Sequence, residues 1–112
     1  MTGFTSCANK GFHINFPNGV SVSVQFGSVN YCDNRNTPKP PLEQYNYSCP
    51  NAEVLISYND NHITQHSPIK DPYDVVTGFC TPTDVLTALN WAASRTPKQL
   101  ESYINPKTPK EQ

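Results

Sequence analysis

The sequence predicts an α+β fold: an antiparallel meander of about five strands (two hairpins plus one), with one C-terminal helix packed on the sheet. Three observations support this prediction. Residues 12–26 alternate apolar and polar side chains around an Asn-Gly pair, residues 52–58 form a strand-like aliphatic run, and residues 81–94 repeat apolar side chains at helical spacing.

The first hairpin is the clearest of these elements. Residues 12–16 and 20–26 each alternate with period two, which is typical of strands with one buried face. The pair Asn18-Gly19 lies between them, and it favours a tight hairpin because both residue types tolerate positive φ. We expect the apolar set to face the core: Phe12, Ile14, Phe16, Val20, Val22, Val24 and Phe26.

The remaining strands follow a long connection over residues 27–50, which contains four prolines. Residues 52–58 predict the third strand, and the polar residues 59–61 predict a turn. Residues 62–65 then predict a fourth strand, and residues 75–79 a shorter fifth strand. The second hairpin therefore joins the third and fourth strands.

The helix has a clear start signal. Thr81 suits the N-cap, Pro82 suits the first helical position, and Asp84 stands three residues after the cap. We expect the helix to end before Pro97 and to bury one stripe. The residues assigned to that stripe are Val85, Leu86, Leu89, Ala92 and Ala93.

The 112 residues suit one domain. We expect a flexible N-terminus over residues 1–10, a single α+β domain over residues 11–95, and a Pro-rich C-terminal tail over residues 96–112. The net charge is −1 and charged residues make up 15% of the chain, so double-stranded nucleic acid is not an expected partner. The longest aliphatic run is residues 54–56, so a membrane is not expected either.

The start of the sequence lacks a basic region followed by an apolar one, which favours a cytoplasmic protein. The four cysteines are Cys7, Cys32, Cys49 and Cys80, and they contain no C-x-x-C pair. Four reduced thiols are therefore expected. The alternative is a secreted protein in which a Cys32–Cys49 disulfide would restrain the long connection.

Neither a metal site nor a catalytic site is indicated. His62-x-x-x-His66 has a ligand-like spacing, but structural zinc normally uses two such pairs, so we expect no metal and no cofactor. A cysteine enzyme that pairs Cys32 with His62 or His66 is an alternative that the sequence leaves open. We assign no catalytic residue, and the balance is against an enzyme.

The polar face of the first hairpin is the first candidate site. It presents His13, Asn15, Ser21, Ser23 and Gln25, and the first 31 residues carry a single charge, at Lys10. An uncharged polar face suits covering by the long connection, a subunit interface in a homo-oligomer, or recognition of a ligand by hydrogen bonds.

The long connection adds a second set of candidate ligand-binding residues: Tyr31, Asp33, Asn34, Arg35, Tyr45 and Tyr47. Arg35 could clamp a phosphate in a forked geometry, and a tyrosine could stack on a base. This set suits a small nucleotide-like ligand. Alternatively, Arg35 forms an ion pair with Asp33 or Glu43, and the tyrosines hold the long connection in place.

The segments FHINFPNGVSVSVQFG (residues 12–27) and NYCDNR (residues 30–35) resemble a signature of small uncharacterised proteins of tailed bacteriophages and prophages. The resemblance covers about residues 11–95 and includes the segment VTGFCTPTDV before the helix. It implies a phage accessory protein in the host bacterial cytoplasm, and such proteins often inhibit host defence. No activity is established for the family, so no site residue is carried over from it.

Three functions are expected on these grounds. The first is a non-enzymatic counter-defence protein that binds and sequesters a nucleotide-like immune signal. The alternative is a protein-binding inhibitor of a host protein, or a small phage structural or assembly partner, which could use an exposed strand edge. The third is a small nucleotide hydrolase.

Overall fold

The structure, a computed structural model, describes residues 2–8, 10–36 and 48–105. These residues form a six-stranded antiparallel sheet and two helices, which confirms the α+β class but adds a helix to the predicted one. The strands are β1 (Gly3–Ser6), β2 (Gly11–Asn15), β3 (Val20–Gln25), β4 (Ala52–Tyr58), β5 (Asn61–His62) and β6 (Thr77–Cys80). A 3-10 turn covers Thr64–His66, and the helices are α1 (Pro82–Ala93) and α2 (Pro97–Ile104).

The sheet is a meander in the order β1-β2-β3-β4-β5, and β6 returns to pair with β4. The β3–β4 pair is continuous from Val20 opposite Tyr58 to Gln25 opposite Glu53. Because β3 occupies one edge of β4, β5 and β6 share the other edge. β5 pairs with the end of β4 at residues 57–58, and β6 pairs with its start at residues 52–54.

Both predicted tight turns are present. Gly19 has a φ of +90° in the β2–β3 turn. Asn59 and Asp60 have φ values of +47° and +61° between β4 and β5. Positive φ at both central residues of the two-residue β4–β5 loop is the type I′ geometry that matches the twist of paired strands, whereas in the β2–β3 turn Gly19 has positive φ and Asn18 does not.

The hydrophobic core lies on one face of the sheet, beneath the helices. Val22, Val54 and Ile56 are fully buried there, and α1 packs on β3 and β4. The predicted core face of the first hairpin is confirmed: Val20, Val22 and Val24 are buried, and Phe12, Phe16 and Phe26 pack against them. Ile14 is half-buried.

Helix α1 begins as predicted but buries a different stripe. The Thr81 hydroxyl accepts from the Asp84 amide at 3.2 Å, and the Asp84 carboxylate accepts from the Thr81 amide at 3.0 Å. Ala88 is fully buried, whereas Leu86 is 57% exposed and Ala93 is exposed. Val85, Ala88, Leu89 and Ala92 face the core at intervals of three and four residues, and Trp91 of the same helix also packs against it.

The β2–β3 turn also holds the end of α1. The Asn18 side-chain amide donates to the carbonyl oxygens of Ala92 at 2.8 Å and Arg95 at 3.1 Å. The last carbonyls of a helix have no partner within the helix, so Asn18 caps α1 from a distant part of the chain. Arg95 in turn lies 4.8 Å from the ring centroid of Trp91.

At the N-terminus the structure differs from the sequence-based expectation. Residues 3–6, expected to be flexible, form β1 and pair with β2 from Gly3 opposite Asn15 to Ser6 opposite Phe12. The segment satisfies the backbone groups along the outer edge of β2, and this outweighs its small, polar composition.

The predicted fourth strand is shortened. Only Asn61 and His62 pair with β4, and Thr64–His66 form a 3-10 turn. The Thr64 hydroxyl accepts from the Ile56 amide at 2.8 Å, so a side chain replaces the backbone of a longer strand. The predicted fifth strand is displaced to Thr77–Cys80.

The C-terminal segment contributes the eight-residue helix α2, where the sequence predicts a Pro-rich tail with at most a short turn through residues 99–104. Thr96 and Gln99 form a capping box, and Leu100 is fully buried against the core. Tyr103 stacks on Trp91 and on His66, with ring centroids 5.7 Å and 4.5 Å apart. Neither of the helices in the described residues is long and apolar enough to cross a bilayer.

Candidate functional site

The candidate site lies on the face of the sheet opposite the helices. Strand alternation sends every second side chain to this face, and the pairing register aligns them in rows. One row runs from Asn15 through Ser21 to Ser57 and ends at His62. A second row runs from His13 through Ser23 to Leu55.

These rows form the floor of a groove of about 710 Å³ that is open to solvent. We call it the polar groove; its lining comprises His13, Asn15, Gly19, Ser21, Ser23, Gln25, Leu55, Ser57, Tyr58, Asn59, Asp60 and His62. The volume lies within the ~300–1,000 Å³ typical of ligand sites. All five hairpin residues predicted from the sequence therefore line one groove.

One end of the polar groove is closed by the β4–β5 turn. The Tyr58 ring covers Gly19, where a Cβ atom would lie 3.2 Å from the ring. Any larger residue at this position, which also has a φ of +90°, would displace the ring. Asn59 and Asp60 follow directly, so an amide and a carboxylate meet at this end.

The groove is lined by neutral hydrogen-bonding groups. Among the described residues, Asp60 is the one charged residue of the lining when the histidines are neutral, and no lysine or arginine lines the groove. The Ser21 hydroxyl donates to the Asn15 side-chain oxygen, and the Gln25 amide donates to the Ser23 hydroxyl at 2.9 Å. These contacts fix the orientation of the groups that a ligand would meet.

The two groove imidazoles retain their bonding capacity. Within residues 2–8, 10–36 and 48–105, neither the His13 nor the His62 side chain makes a hydrogen bond. A neutral imidazole has one donor and one acceptor nitrogen. Both rings can therefore accept or donate a hydrogen bond to a molecule in the groove.

The loop residues predicted for the site lie elsewhere. The Arg35 guanidinium stacks over the Tyr31 ring at 4.4 Å and donates to the Val29 carbonyl at 3.2 Å. The Asp33 amide donates to the Asn51 side chain at 2.8 Å. Tyr31, Asp33 and Arg35 are thus engaged in holding the loop and are absent from the groove lining.

Asn34 has the same kind of role. Its side-chain amide donates to the carbonyls of Phe26 and Ser48, each at 2.9 Å, and so ties the start of the long connection to its end. Tyr45 and Tyr47 lie outside the described residues, as does Glu43, the alternative partner of Arg35.

One buried residue connects the loop to the groove. Asn30 is 5% exposed; its side-chain oxygen accepts from the Gly27 amide at 2.9 Å. Its amide group donates to Gln25 at 3.5 Å and to Glu53 at 3.2 Å. The other Glu53 oxygen accepts from the Tyr31 amide at 3.0 Å. The position of Gln25 at the groove end therefore depends on the loop.

Sequence reasoning missed the half of the groove that comes from β4 and β5. Leu55, Ser57 and His62 join the hairpin residues only because β3 pairs with β4. The alternation of the segment AEVLISY indicates which face of the sheet each side chain occupies, but it does not indicate which strand pairs with this one.

The residues considered for a cysteine enzyme or a zinc site occupy different surroundings. Cys32 is 1% exposed and its thiol donates to the Gly27 carbonyl at 3.5 Å. His66 stacks on Tyr103, and His62 lines the groove. No group of three or more metal-ligating side chains occurs among the described residues.

Comparisons with models of protein families, with curated proteins and with solved structures find no match to this chain. The polar groove is consequently the feature from which a function is inferred.

Proposed function

We propose that this protein binds a small nucleotide-like ligand in the polar groove, and that it sequesters an immune signal of the host bacterium as a phage accessory protein. The observation that carries the proposal is the groove itself: a concave site of about 710 Å³ lined by amides, hydroxyls and two imidazoles with open bonding capacity. Surface sheet faces without a ligand role are usually rich in charged side chains.

The lining favours a ligand rich in hydroxyl and amide groups. Ribose hydroxyls can donate to the Asp60 carboxylate, a role that acidic residues fill in nucleotide sites. Serine, asparagine and glutamine side chains can pair with base edges.

In the part of the chain that the structure describes, no lysine or arginine is placed to hold phosphate groups in the groove. His13 and His62 can each donate to a phosphate oxygen, and the open side of the groove leaves the remaining oxygens in water. Neutral donors bind phosphate more weakly than charged ones do, so specificity would come from the sugar and the base. This chemistry suits retention of a signal molecule rather than its conversion.

The test is a thermal-shift screen of the purified protein with linear and cyclic nucleotides and ADP-ribose derivatives. A ligand that binds the folded state raises its melting temperature, by several degrees at 100-fold the dissociation constant. The complex is then heated, and the released ligand is examined by chromatography. Unchanged ligand supports sequestration, whereas a converted product indicates the nucleotide hydrolase.

Two matched variants locate the binding. His13→Ala should abolish or strongly reduce the shift, because it removes a groove imidazole that holds no structural hydrogen bond. Arg35→Ala should leave the shift intact, because Arg35 lies on the loop beside Tyr31. The reverse pattern would move the site from the groove to the loop.

A protein-binding role is the second candidate, and strand β1 favours it. β1 is an outer strand of the sheet, three of its four residues are exposed, and Phe4 is 77% exposed. Exposed strand edges pair with partner chains, including further copies of the same chain. The absence of any shift in the nucleotide screen, together with a partner whose binding is lost in Phe4→Lys, would favour this role.

A further inference from the structure

Two of the four cysteines lie against each other, although they are far apart in the sequence. The Cys49 thiol and the Asp33 amide both contact the Asn51 side-chain oxygen, at 3.7 and 2.8 Å, which places Cys49 beside the residue that follows Cys32. Cys32 is 1% exposed and Cys49 is half-buried, and both are free thiols. Burial raises the pKa of the Cys32 thiol; a hydrogen bond from the Asn34 backbone partly offsets this, and the neighbouring Cys49 and Glu53 raise it further.

Backbone and side-chain contacts hold the two cysteine segments together. The Asn34 side chain donates to the Ser48 carbonyl at 2.9 Å, and the Asp33 amide donates to the Asn51 side chain at 2.8 Å. The Cys49 thiol also contacts the Asn51 side-chain oxygen, at 3.7 Å. Asp33, next to Cys32, and Ser48, next to Cys49, therefore each form a hydrogen bond with the segment of the other cysteine. Two separate hydrogen bonds thus keep the two cysteines close.

We propose that Cys32 and Cys49 form a reversible disulfide that closes a ring through residues 33–48. The inference is independent of what the polar groove binds. The oxidant we propose is a small-molecule disulfide such as oxidised glutathione.

The reaction is a pair of thiol–disulfide exchanges. The more exposed Cys49 reacts first: its thiolate attacks one sulfur of oxidised glutathione, the glutathione S–S bond breaks, and one glutathione thiolate leaves. Cys32 then loses its proton, and its thiolate attacks the Cys49 sulfur of the mixed disulfide. The second glutathione leaves, so two protein thiols are oxidised and one glutathione disulfide is reduced to two thiols.

The other two cysteines serve as internal controls. Cys80 is 2% exposed, and its thiol donates to the Thr77 carbonyl at 3.5 Å. Burial, with a smaller effect of Asp84, raises the pKa of Cys80 to about 11, and Cys80, unlike Cys32, has no cysteine among the groups that shift its pKa. Cys7 is half-buried and directly follows β1, and it is not among the groups that act on Cys32.

The experiment uses the full chain in buffers with a rising ratio of oxidised to reduced glutathione. Free thiols are blocked with N-ethylmaleimide, and the intact mass is measured. We expect a species with two alkylated thiols instead of four. Trypsin cuts after Arg35 and so separates the two cysteines, which predicts a linked pair of peptides covering residues 11–35 and 36–70.

The oxidised protein should also melt about 8–16 °C higher than the reduced one, because the ring restricts the unfolded chain. Reductant should reverse this shift. Cys49→Ser should abolish the linked peptides and the shift, whereas Cys7→Ser should keep both. If Cys49→Ser does not fold, the peptide map of the unaltered chain decides alone. Four alkylated thiols at every ratio, a stable glutathione adduct, or a bond that involves Cys7 would each overturn the proposal.

Discussion

Replacement of Asn18 by alanine tests how the first hairpin and the helical layer are joined. The Asn18 amide donates to the Ala92 and Arg95 carbonyls at the end of α1, at 2.8 and 3.1 Å. Its side-chain oxygen accepts from the Val20 amide at 3.0 Å. Asn18→Ala removes all three hydrogen bonds without altering the backbone requirement at Gly19, so the variant isolates the side chain.

The loss can be estimated from these contacts. A typical intramolecular hydrogen bond contributes ~1 kcal/mol, and all three contacts are partly buried. Water can replace some of the lost partners, so we expect the free energy of unfolding to fall by about 2–3 kcal/mol. For a domain of this size ~1 kcal/mol corresponds to roughly 4 °C, which predicts a melting temperature lower by about 8–12 °C.

Thermal and urea denaturation followed by circular dichroism would measure this loss, with two further variants. Asn18→Asp keeps the oxygen that bonds Val20 but loses the donors and places a negative charge at the carboxyl end of α1, so it should be no more stable than Asn18→Ala. Asn61→Ala removes one exposed contact to Asn59 and should change stability by less than about 0.5 kcal/mol. A change below 2 °C in Asn18→Ala would refute the capping role.

Three further substitutions and conditions have defined outcomes. Because the pKa of Cys80 is about 11 in the folded protein and 9.0 is its ordinary value, the native state keeps a proton that the unfolded state loses between these values. Below pH 9 this group should therefore not change the free energy of unfolding. Between pH 9 and 11 it should lower that free energy by up to about 2–3 kcal/mol. Denaturation of a Cys80→Ala protein, measured across the same pH range, should lack this decrease. Gly11→Ala should destabilise the fold by about 3 kcal/mol or more, because its Cβ would lie 2.1 Å from the Val24 carbonyl oxygen; an unchanged melting temperature would contradict the β2–β3 register. Thr64→Val should lower the free energy of unfolding by about 1–3 kcal/mol by leaving a buried β4 amide without its partner, whereas Thr64→Ser should retain most of it.

The parts of the fold that sequence patterns predicted are those fixed by local chemistry. The alternation around Asn18-Gly19 and the capping signal at Thr81 each depend on a few neighbouring residues, and both appear in the structure. The second helix had the same signal, since Thr96-Pro97 with Gln99 repeats the arrangement of the first cap. This signal did not lead to the prediction of a helix, because the segment is short and prolines lie nearby. Burial of Leu100 stabilises the helix in a way that helix propensity alone does not indicate.

Only the part of the candidate site that comes from the first hairpin could be predicted from the sequence, because that part depends on local alternation. Period two identified which side chains of the first hairpin share a face, and the structure brings all of them to the polar groove. The contribution of Ser57 and His62 required the strand order, which depends on contacts between distant segments. Arg35 was considered for ligand binding from its residue type, but its position over Tyr31 is set by the tertiary path of the loop.

The two sides of the sheet differ in their capacity to accept another strand. On the β4 side the edge is divided between the two-residue β5 and β6, and the Phe79 amide in β6 already donates to the Tyr31 carbonyl at 2.8 Å. On the other side β1 presents four regular residues. Two copies joined antiparallel through β1 would be related by a two-fold axis perpendicular to the sheet, because that operation reverses strand direction and preserves the face. Both polar grooves would then open toward the same side of one continuous sheet.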